Sequence, residues 1–312
     1  MSEPIDAPVS GDASPVATTM GPAMPSAEQP KPATISCNAD GCVVSASALA
    51  KRYRLGKDNF VDALRGASVH IRPGEMVAIM GPSGSGKSTM MHMIGCLDTP
   101  DSGEVWIGGR RADTLRGRAL TRLRSEEIGF IFQGFNLIPT LSATENVALA
   151  AEYAGRSRGA AAQRARELLD LVGLGDRAAH LPSELSGGQQ QRVAIARSLI
   201  NAPSVVLGDE PTGDLDTKTS DEIVEMMRTV NLETGTTFIL VTHNPEVAEA
   251  CDRTILMRDG IVHDDDYDEV EREADTARRA VEARERKARI REARDAAKAK
   301  AAGNGGGSEP AT

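Results

Sequence analysis

The sequence predicts an α/β protein with a mainly parallel sheet, and two observations support this fold class. Short apolar runs of strand length alternate with helical patterns, at residues 76–80 (MVAIM), 128–133 (IGFIFQ), 204–209 (SVVLGD), 236–242 (TTFILVT) and 253–257 (RTILM). Strands that alternate with helices pair in parallel and are covered by helices on their faces. A glycine-rich turn containing a lysine follows the first of these strands and opens a helix, which is the setting of a phosphate-binding loop.

Composition limits the classes of function. The chain has 312 residues, of which 40% are hydrophobic, enough for a proper core. Aromatic residues make up only 3%, so we expect no nucleic-acid surface that stacks on bases. Residues 1–40 lack the apolar centre of a signal peptide. No apolar run approaches the roughly 18 residues of a membrane span. If the protein works at a membrane, we expect another chain to cross it.

The two ends differ from the middle of the chain. Residues 1–42 contain seven of the sixteen prolines, and we expect a disordered tail there. Residues 264–312 are highly charged and are expected to form a helix followed by a disordered end. For that helix a solvated surface is the simpler interpretation, and contact with an anionic membrane or a partner is the alternative. Between the tails, residues 43–263 are expected to form one domain, with an inserted helical subdomain at about 136–190.

The phosphate-binding loop is the strongest motif. It reads G-x-x-x-x-G-K-S from Gly81 to Ser88, directly after an apolar strand and before a helix. Its glycines let the backbone wrap a phosphate chain with N–H groups. Lys87 is expected to reach the β- and γ-phosphate oxygens, and the Ser88 hydroxyl to bind magnesium.

Two adjacent carboxylates end another apolar strand. Asp209 and Glu210 follow SVVLG, and beside a phosphate loop Asp209 is expected to hold magnesium, through water or directly. Glu210 would orient or deprotonate the attacking water. The alternative interpretation is that the two acids only cap a turn, and the phosphate loop upstream argues against it.

Three single residues carry weaker signals. Gln133, at the end of a predicted strand, would contact magnesium or its water, or is a solvated amide. His243, at another strand end, would hydrogen-bond a γ-phosphate or Glu210, or is a structural residue. Tyr53 would stack on adenine, or packs in the fold.

A second phosphate-binding feature lies about a hundred residues after the first. The stretch LSGGQQQRVAIARSLI (185–200) joins a small polar corner to an apolar-periodic helix, and a helix start attracts anions. Together with Tyr53, GPSGSGKST, Gln133, VVLGDE, GDLD (213–216) and His243, this stretch resembles the nucleotide-binding subunit of ATP-binding cassette (ABC) transporters over residues 43–263. Longer strings, such as DEPTGDLDTKT and VTHNPEVA, are similar to the macrolide-export and lipoprotein-release branch.

The resemblance implies an ABC ATPase core of the P-loop NTPase class with a small antiparallel β subdomain beside the parallel sheet. It implies that the cofactors are ATP and Mg²⁺, with Glu210, His243, Lys87 and Gln133 catalytic. Metal contacts would come from Ser88, Gln133 and Asp209. The nucleotide contacts that it implies are Tyr53, Gly81, Pro82, Ser83, Gly84, Ser85, Gly86, Lys87, Ser88, Thr89, Ser186, Gly187, Gly188, Gln189 and Asp216. Gly208, where alanine is common, and Asp214, where asparagine is usual, depart from the family pattern without touching the phosphates.

The resemblance also implies partners. Two subunits would form a homodimer in which each LSGGQ closes on the ATP of the other, and a membrane-spanning permease would hold the pair at the cytoplasmic face of the cell membrane. An apolar cluster after Gln133, comprising Phe135, Leu137, Ile138 and Leu141, is expected to receive a helix of that permease, unless it is buried in the helical subdomain. The alternative function is a cell-division ATPase of the same branch, which acts on a membrane partner and moves no solute.

Overall fold

The computed structural model describes residues 41–56 and 59–265. The predictions of a disordered N-terminal tail and of a charged C-terminal helix fall almost wholly on residues outside these ranges. At the edges, Cys42 is buried although the tail was predicted to reach it, and the last strand ends at Asp265. The division of the chain into domains stays a prediction.

Ten strands and seven α-helices make up the described residues. The strands are β1 (Val44–Arg54), β2 (Phe60–Ile71), β3 (Met76–Met80), β4 (Ser102–Ile107), β5 (Arg110–Arg111), β6 (Ile128–Ile131), β7 (Val205–Asp209), β8 (Thr237–Val241), β9 (Arg253–Arg258) and β10 (Ile261–Asp265). The helices are α1 (Lys87–Ile94), α2 (Gly117–Glu127), α3 (Ala143–Tyr153), α4 (Arg158–Leu171), α5 (Gly187–Leu199), α6 (Thr217–Thr234) and α7 (Pro245–Glu249), with 3-10 turns at Gly175–Arg177 and Pro182–Glu184. None of these helices is long and apolar enough to cross a membrane.

The larger sheet contains all five predicted strands. Its six strands lie in the order β10-β9-β3-β8-β7-β6, and every neighbouring pair except β10 and β9 is parallel. Alternate residues of the central strands are buried on opposite faces of the sheet, because helices cover both faces. The strand β6 is shorter than predicted and ends at Ile131, since the next residues turn and the Phe135 N–H donates to the Phe132 carbonyl at 3.2 Å.

A separate four-stranded antiparallel sheet has the order β2-β1-β4-β5. The small antiparallel β subdomain that the resemblance implied is therefore present. It packs against α1 and against one face of the larger sheet in a shared apolar core that includes Leu49, Val69, Val77 and Ile94.

A helical layer lies between β6 and β7 along the chain, although the two strands are neighbours in the sheet. The helices α3, α4 and α5 lie between these two strands, and the described chain has no strand there. Their apolar faces pack together and against the other face of the larger sheet, with Val147, Leu168, Ile195 and Phe238 fully or almost fully buried. This layer places the start of α5 on the side of the sheet where β6 and β7 have their carboxyl ends.

Candidate active site

The phosphate-binding loop lies between β3 and α1, and two of its glycines are required by the backbone. Gly81 has φ 151°, and a Cβ there would lie 2.0 Å from the Met257 carbonyl oxygen. Gly86 has φ 100°, and its Cβ would lie 2.5 Å from the Ala63 carbonyl oxygen. Neither position accommodates a side chain without moving main chain. The sequence motif is therefore also a packing requirement.

The start of α1 faces this loop, and no side chain of the described residues caps it. The helix begins after Gly86 without a side-chain cap, whereas a side chain caps each helix from α3 to α7. The N–H groups of a first turn have no acceptor within their own helix, and together with the helix dipole they attract an anion. The hydroxyl of Ser85, directly before Gly86, is buried without a hydrogen-bond partner in the described part of the chain. The loop thus offers the donors that a phosphate chain needs.

The ammonium of Lys87 lies folded over its own loop. Its Nζ donates to the carbonyl oxygens of Gly81 at 2.8 Å and of Pro82 at 2.9 Å. No carboxylate lies within ion-pair distance of Lys87 in the described residues. The ammonium can therefore exchange two neutral acceptors for phosphate oxygens, which bind a cation more strongly.

Two acidic residues end β7 beside the loop. Burial raises the pKa of the Asp209 carboxyl, and the neighbouring Glu210 carboxylate raises it further, while the charges of His92 and Lys87 act in the opposite direction. Among the described residues Asp209 has no ion pair, and a half-buried carboxylate of this kind close to a lysine is suited to a metal ion. Glu210 has φ 44°, and its N–H donates to the Val241 carbonyl at 2.9 Å, which fixes its position against β8.

The predicted histidine contacts Glu210, and the predicted glutamine borders the same small space. His243 follows β8, and its Nδ1 lies 2.9 Å from Glu210 Oε1. The Gln133 amide donates to Asp214 Oδ1 at 3.0 Å. A Cβ at Gly213 would lie 3.2 Å from Gln133 Nε2 and 3.3 Å from Glu210 Oε2, so both side chains border the same small space. Because the carboxyl ends of neighbouring parallel strands meet at one edge, residues far apart in sequence form one site.

Tyr53 lies in β1, close to the start of α1. Its hydroxyl donates to Asp98 Oδ2 at 2.9 Å, and the Lys51 ammonium lies 5.3 Å from the ring centre. Burial raises the pKa of the Tyr53 phenol, and the hydrogen bond to Asp98 raises it further, while a hydrogen bond with Thr89 lowers it. The structure thus places Tyr53 beside Thr89 at the phosphate loop. No sequence signal marks Lys51 and Asp98, because their contacts with Tyr53 depend on packing between distant elements.

The residues Ser186 to Gln189 lie at the start of α5. The Ser186 hydroxyl accepts from the Gln189 N–H, and the Gln189 side chain accepts from the Ser186 N–H, which forms a capping box. None of the described hydrogen bonds of these residues reaches the phosphate loop of the same chain.

The glycines of this corner pack on the segment after β7. A Cβ at Gly187 would lie 3.3 Å from Leu215 Cδ2, and one at Gly188 would lie 2.5 Å from Thr219 Cγ2. The Asp216 carboxylate caps α6 by accepting from the Thr219 hydroxyl and N–H, and these bonds lower its pKa. In this chain the Asp216 side chain serves the helix start, and its predicted nucleotide contact stays a prediction.

The described residues contain no group of three or more His, Cys, Asp or Glu side chains arranged to hold a metal ion. The predicted magnesium ligands, Ser88, Gln133 and Asp209, are a hydroxyl, an amide and one carboxylate. Magnesium is commonly held by one or two protein ligands together with phosphate oxygens and waters. The donor set therefore fits a metal that arrives with the nucleotide.

These features define a class of protein. A lysine-containing phosphate loop, two acids and a histidine lie at one edge of a parallel sheet. The start of α5, Ser186–Gln189, forms a glycine corner with no described hydrogen bond to that loop. Together these features form an ATP-hydrolysing P-loop cassette. A family model described as ABC transporter matches residues 64–213. The chain is 48% identical to an uncharacterized ABC transporter ATP-binding protein, YknY of Bacillus subtilis, over 218 residues, which are 70% of this chain and 94% of that protein. The chain belongs to the ABC transporter family.

Other relatives agree with this assignment. A macrolide export ATP-binding/permease protein, MacB of Rhodopirellula baltica, is 48% identical over 219 residues, 70% of this chain but only 32% of that protein. The solved dimeric, post-hydrolysis structure of the cassette MJ0796 bound to ADP and Pi has a TM-score of 0.65 and 44% identity, and the match covers 71% of this chain and 97% of that one. The predicted fold class, family, ATP binding and ATPase activity are confirmed. The roles of single residues stay predictions.

Proposed function

We propose that this chain is the ATP-hydrolysing subunit of a membrane transporter and that it acts as a homodimer around two ATP molecules. One observation carries the proposal. The phosphate loop, Asp209, Glu210 and His243 meet at one edge of the sheet, whereas the donors of Ser186–Gln189 at the start of α5 make no described contact with that loop. A second copy of the chain would supply the missing donors.

Each group at the site has a distinct task in this proposal. The loop N–H groups and Lys87 hold the β- and γ-phosphates, and Tyr53 stacks on the adenine. Ser88, Gln133 and Asp209 would hold Mg²⁺, which neutralises charge on the phosphates when bound. Glu210 orients the attacking water and accepts its proton. His243, at 2.9 Å from Glu210, holds that carboxylate in place and can hydrogen-bond the γ-phosphate.

The shared site can be tested by mixing two damaged variants. Lys87→Ala removes the charge that neutralises the phosphates, and Ser186→Arg fills the glycine corner with a long side chain. Each homodimer has two damaged sites. In a mixed dimer, one site is doubly damaged and the other is intact. Random pairing makes about half of the dimers mixed, so ATPase activity recovers to roughly a quarter of the wild-type rate if the sites act independently.

Strong coupling between the sites would reduce this recovery, so the number of intact, ATP-occupied sites in mixed dimers is counted as well. If each chain used its own glycine corner, every site in the mixture would remain damaged. Confirmed mixed dimers with neither recovered activity nor an intact occupied site would contradict the shared site.

The docking segment, residues 135–141, supports a membrane partner. Ile138 is 39% exposed, while Leu137 and Leu141 are half-buried. The relatives named MacB combine ATP-binding and permease in one name, which favours a permease as the partner of this chain at the cytoplasmic face of the membrane. Phe135 is half-buried like Leu137 and Leu141 and lies against Gly187, so Ile138 is the exposed member of the predicted cluster.

Copurification from detergent-solubilised membranes tests the partner. We expect Ile138→Asp to release an integral membrane protein that the wild-type chain retains. Leu256→Asp is the matched control, since Leu256 is a similarly exposed apolar residue on β9, outside the docking segment. Equal retention by both variants would contradict docking at this segment. The identity of the retained protein separates export from cell-division control, the alternative function.

A further inference from the structure

Helix α5 contacts the docking segment at two separate points. In its last turn, the Arg197 guanidinium donates to the carbonyl oxygens of Phe135, at 2.8 Å, and of Asn136. At its start, a Cβ on Gly187 would lie 3.7 Å from Cζ of the Phe135 ring. Ten residues separate Gly187 from Arg197, about 15 Å along a helix axis. The segment is thus fixed to the same helix that begins with the glycine corner.

The Arg197 guanidinium binds main-chain carbonyls instead of a carboxylate. The guanidinium has no carboxylate within 4.0 Å among the described residues, and burial lowers its pKa. A partly buried cation without a counter-ion is costly unless its hydrogen bonds are made. Here its described hydrogen bonds go to two consecutive main-chain carbonyls, which makes the contact specific for the backbone path of the docking segment.

That backbone path is strained. Phe135 has φ 58° and Asn136 has φ 49°, so two consecutive non-glycine residues adopt the left-handed conformation. Such residues persist only where the surroundings over-determine them, and asparagine tolerates the conformation better than phenylalanine. The guanidinium bound to both carbonyls supplies this constraint. Without it, we expect the segment to relax and the Phe135 ring to leave Gly187.

We infer that Arg197 is a positioning residue that makes the docking segment and the glycine corner at Ser186–Gln189 move as one body. The inference rests on the proposed function, in which the segment receives the permease and the corner binds the partner subunit's ATP. A displacement of the docking segment by the permease would then shift the corner directly, through Phe135 and Arg197.

ATP-dependent dimerisation of the full chain tests this inference. The background is Glu210→Gln, which is expected to trap the ATP-bound dimer. Arg197→Gln removes the positive charge and some of the N–H donors of the guanidinium. We expect the dimer dissociation constant at saturating MgATP to rise about tenfold or more, as for a lost hydrogen bond to a charged group. The affinity of the monomer for ATP should stay unchanged, because the phosphate loop is not touched. Sedimentation measures the first quantity and calorimetry the second.

Arg192→Gln is the matched control. Arg192 lies on the same helix and also donates to a carbonyl, that of Val172 at 3.2 Å, but it binds Glu222 instead of the docking segment. We expect this variant to dimerise like its parent. Arg197→Lys keeps the charge without the planar fork and should lie between Arg197→Gln and the parent.

The outcomes are distinguishable. A Glu210→Gln parent that binds ATP but does not dimerise contradicts the proposed function. A parent that dimerises together with an Arg197→Gln variant that dimerises equally well overturns the inference. If Arg197→Gln loses ATP binding as well, the Arg197→Lys variant distinguishes a positioning role from a purely structural one. Weakened dimerisation with normal ATP affinity in Arg197→Lys supports positioning. Loss of both dimerisation and ATP binding in Arg197→Lys shows that Arg197 serves only stability.

Discussion

The anchor of Tyr53 allows a quantitative prediction for ATP affinity. Its hydroxyl donates to Asp98 Oδ2 at 2.9 Å, and Lys51 donates to the other carboxylate oxygen at 3.1 Å. The Lys51 ammonium lies 5.3 Å from the centre of the Tyr53 ring, and in the proposed function an adenine stacks on the opposite ring face. The variant Tyr53→Phe keeps the ring but removes the hydroxyl, and therefore separates anchoring from stacking.

The structure sets the size of the effect. A hydrogen bond to a charged acceptor contributes about 1.5–3 kcal/mol when buried. The Asp98 side chain is 37% exposed, so water screens the bond and the lower end or less applies. About 1 kcal/mol corresponds to a dissociation constant for ATP that is roughly fivefold higher in Tyr53→Phe. Tyr53→Ala also loses stacking, which is worth about 1–3 kcal/mol, and should weaken ATP binding at least tenfold.

Calorimetric titration with MgATP and with magnesium tripolyphosphate provides the assay. Tripolyphosphate lacks the base, so its affinity should be unchanged in both variants. Asp98→Ala removes the acceptor and should weaken ATP binding by at least a similar factor, and adding Tyr53→Phe to it should cost little more, because both changes remove the same bond. If Tyr53→Phe binds ATP like the wild type while Tyr53→Ala binds it more weakly, the hydrogen bond from the Tyr53 hydroxyl to Asp98 does not contribute to ATP affinity. Wild-type binding by Tyr53→Ala would instead refute stacking on Tyr53.

The core strands were predictable because both faces of the larger sheet are buried. The runs in β3, β7 and β8 are apolar throughout, and only a sheet covered on both faces needs such runs. The strands of the antiparallel sheet could not be located from the sequence. β1 has register shifts and a left-handed residue at Ala48, and these irregularities break the alternation of apolar and polar residues that marks a strand.

The chemistry of the site was predictable where one motif holds all its members. The phosphate loop and the pair Asp209 and Glu210 are local in sequence, and their strand context could be recognised. The contact between His243 and Glu210 was one of the predicted alternatives, but other contacts between distant residues were not predictable. Gln133 and Asp214 are 81 positions apart, and Arg197 and Phe135 are 62 apart, so only the folded chain brings them together. This also explains why Phe135 was expected on the surface.

Three further predictions concern hydrolysis and stability. Glu210→Gln should bind ATP but release phosphate on the order of 10²–10⁴-fold more slowly, and a rate within a few-fold of wild type would contradict its role as base. Since burial raises the pKa of Asp209, the folded chain binds this proton more tightly than the unfolded chain does, and the stability that the proton contributes is lost as the pH rises through the folded-state pKa. Asp209→Asn should therefore raise the Tm of the nucleotide-free chain at pH 7 while abolishing magnesium-dependent hydrolysis, and a lower Tm would show that burial of the charge is not costly. Asp252 binds Arg228 in a two-pronged ion pair, with side chains 15% and 16% exposed, and also accepts the Met76 N–H at 2.8 Å. Asp252→Ala leaves a buried guanidinium and a strand N–H without their partner, so it should cost about 3–5 kcal/mol and lower the Tm by roughly 10 °C in a thermal melt. Asp62→Ala, which breaks an exposed pair with Arg52, is the control, and equal Tm shifts in the two variants would contradict the argument from burial.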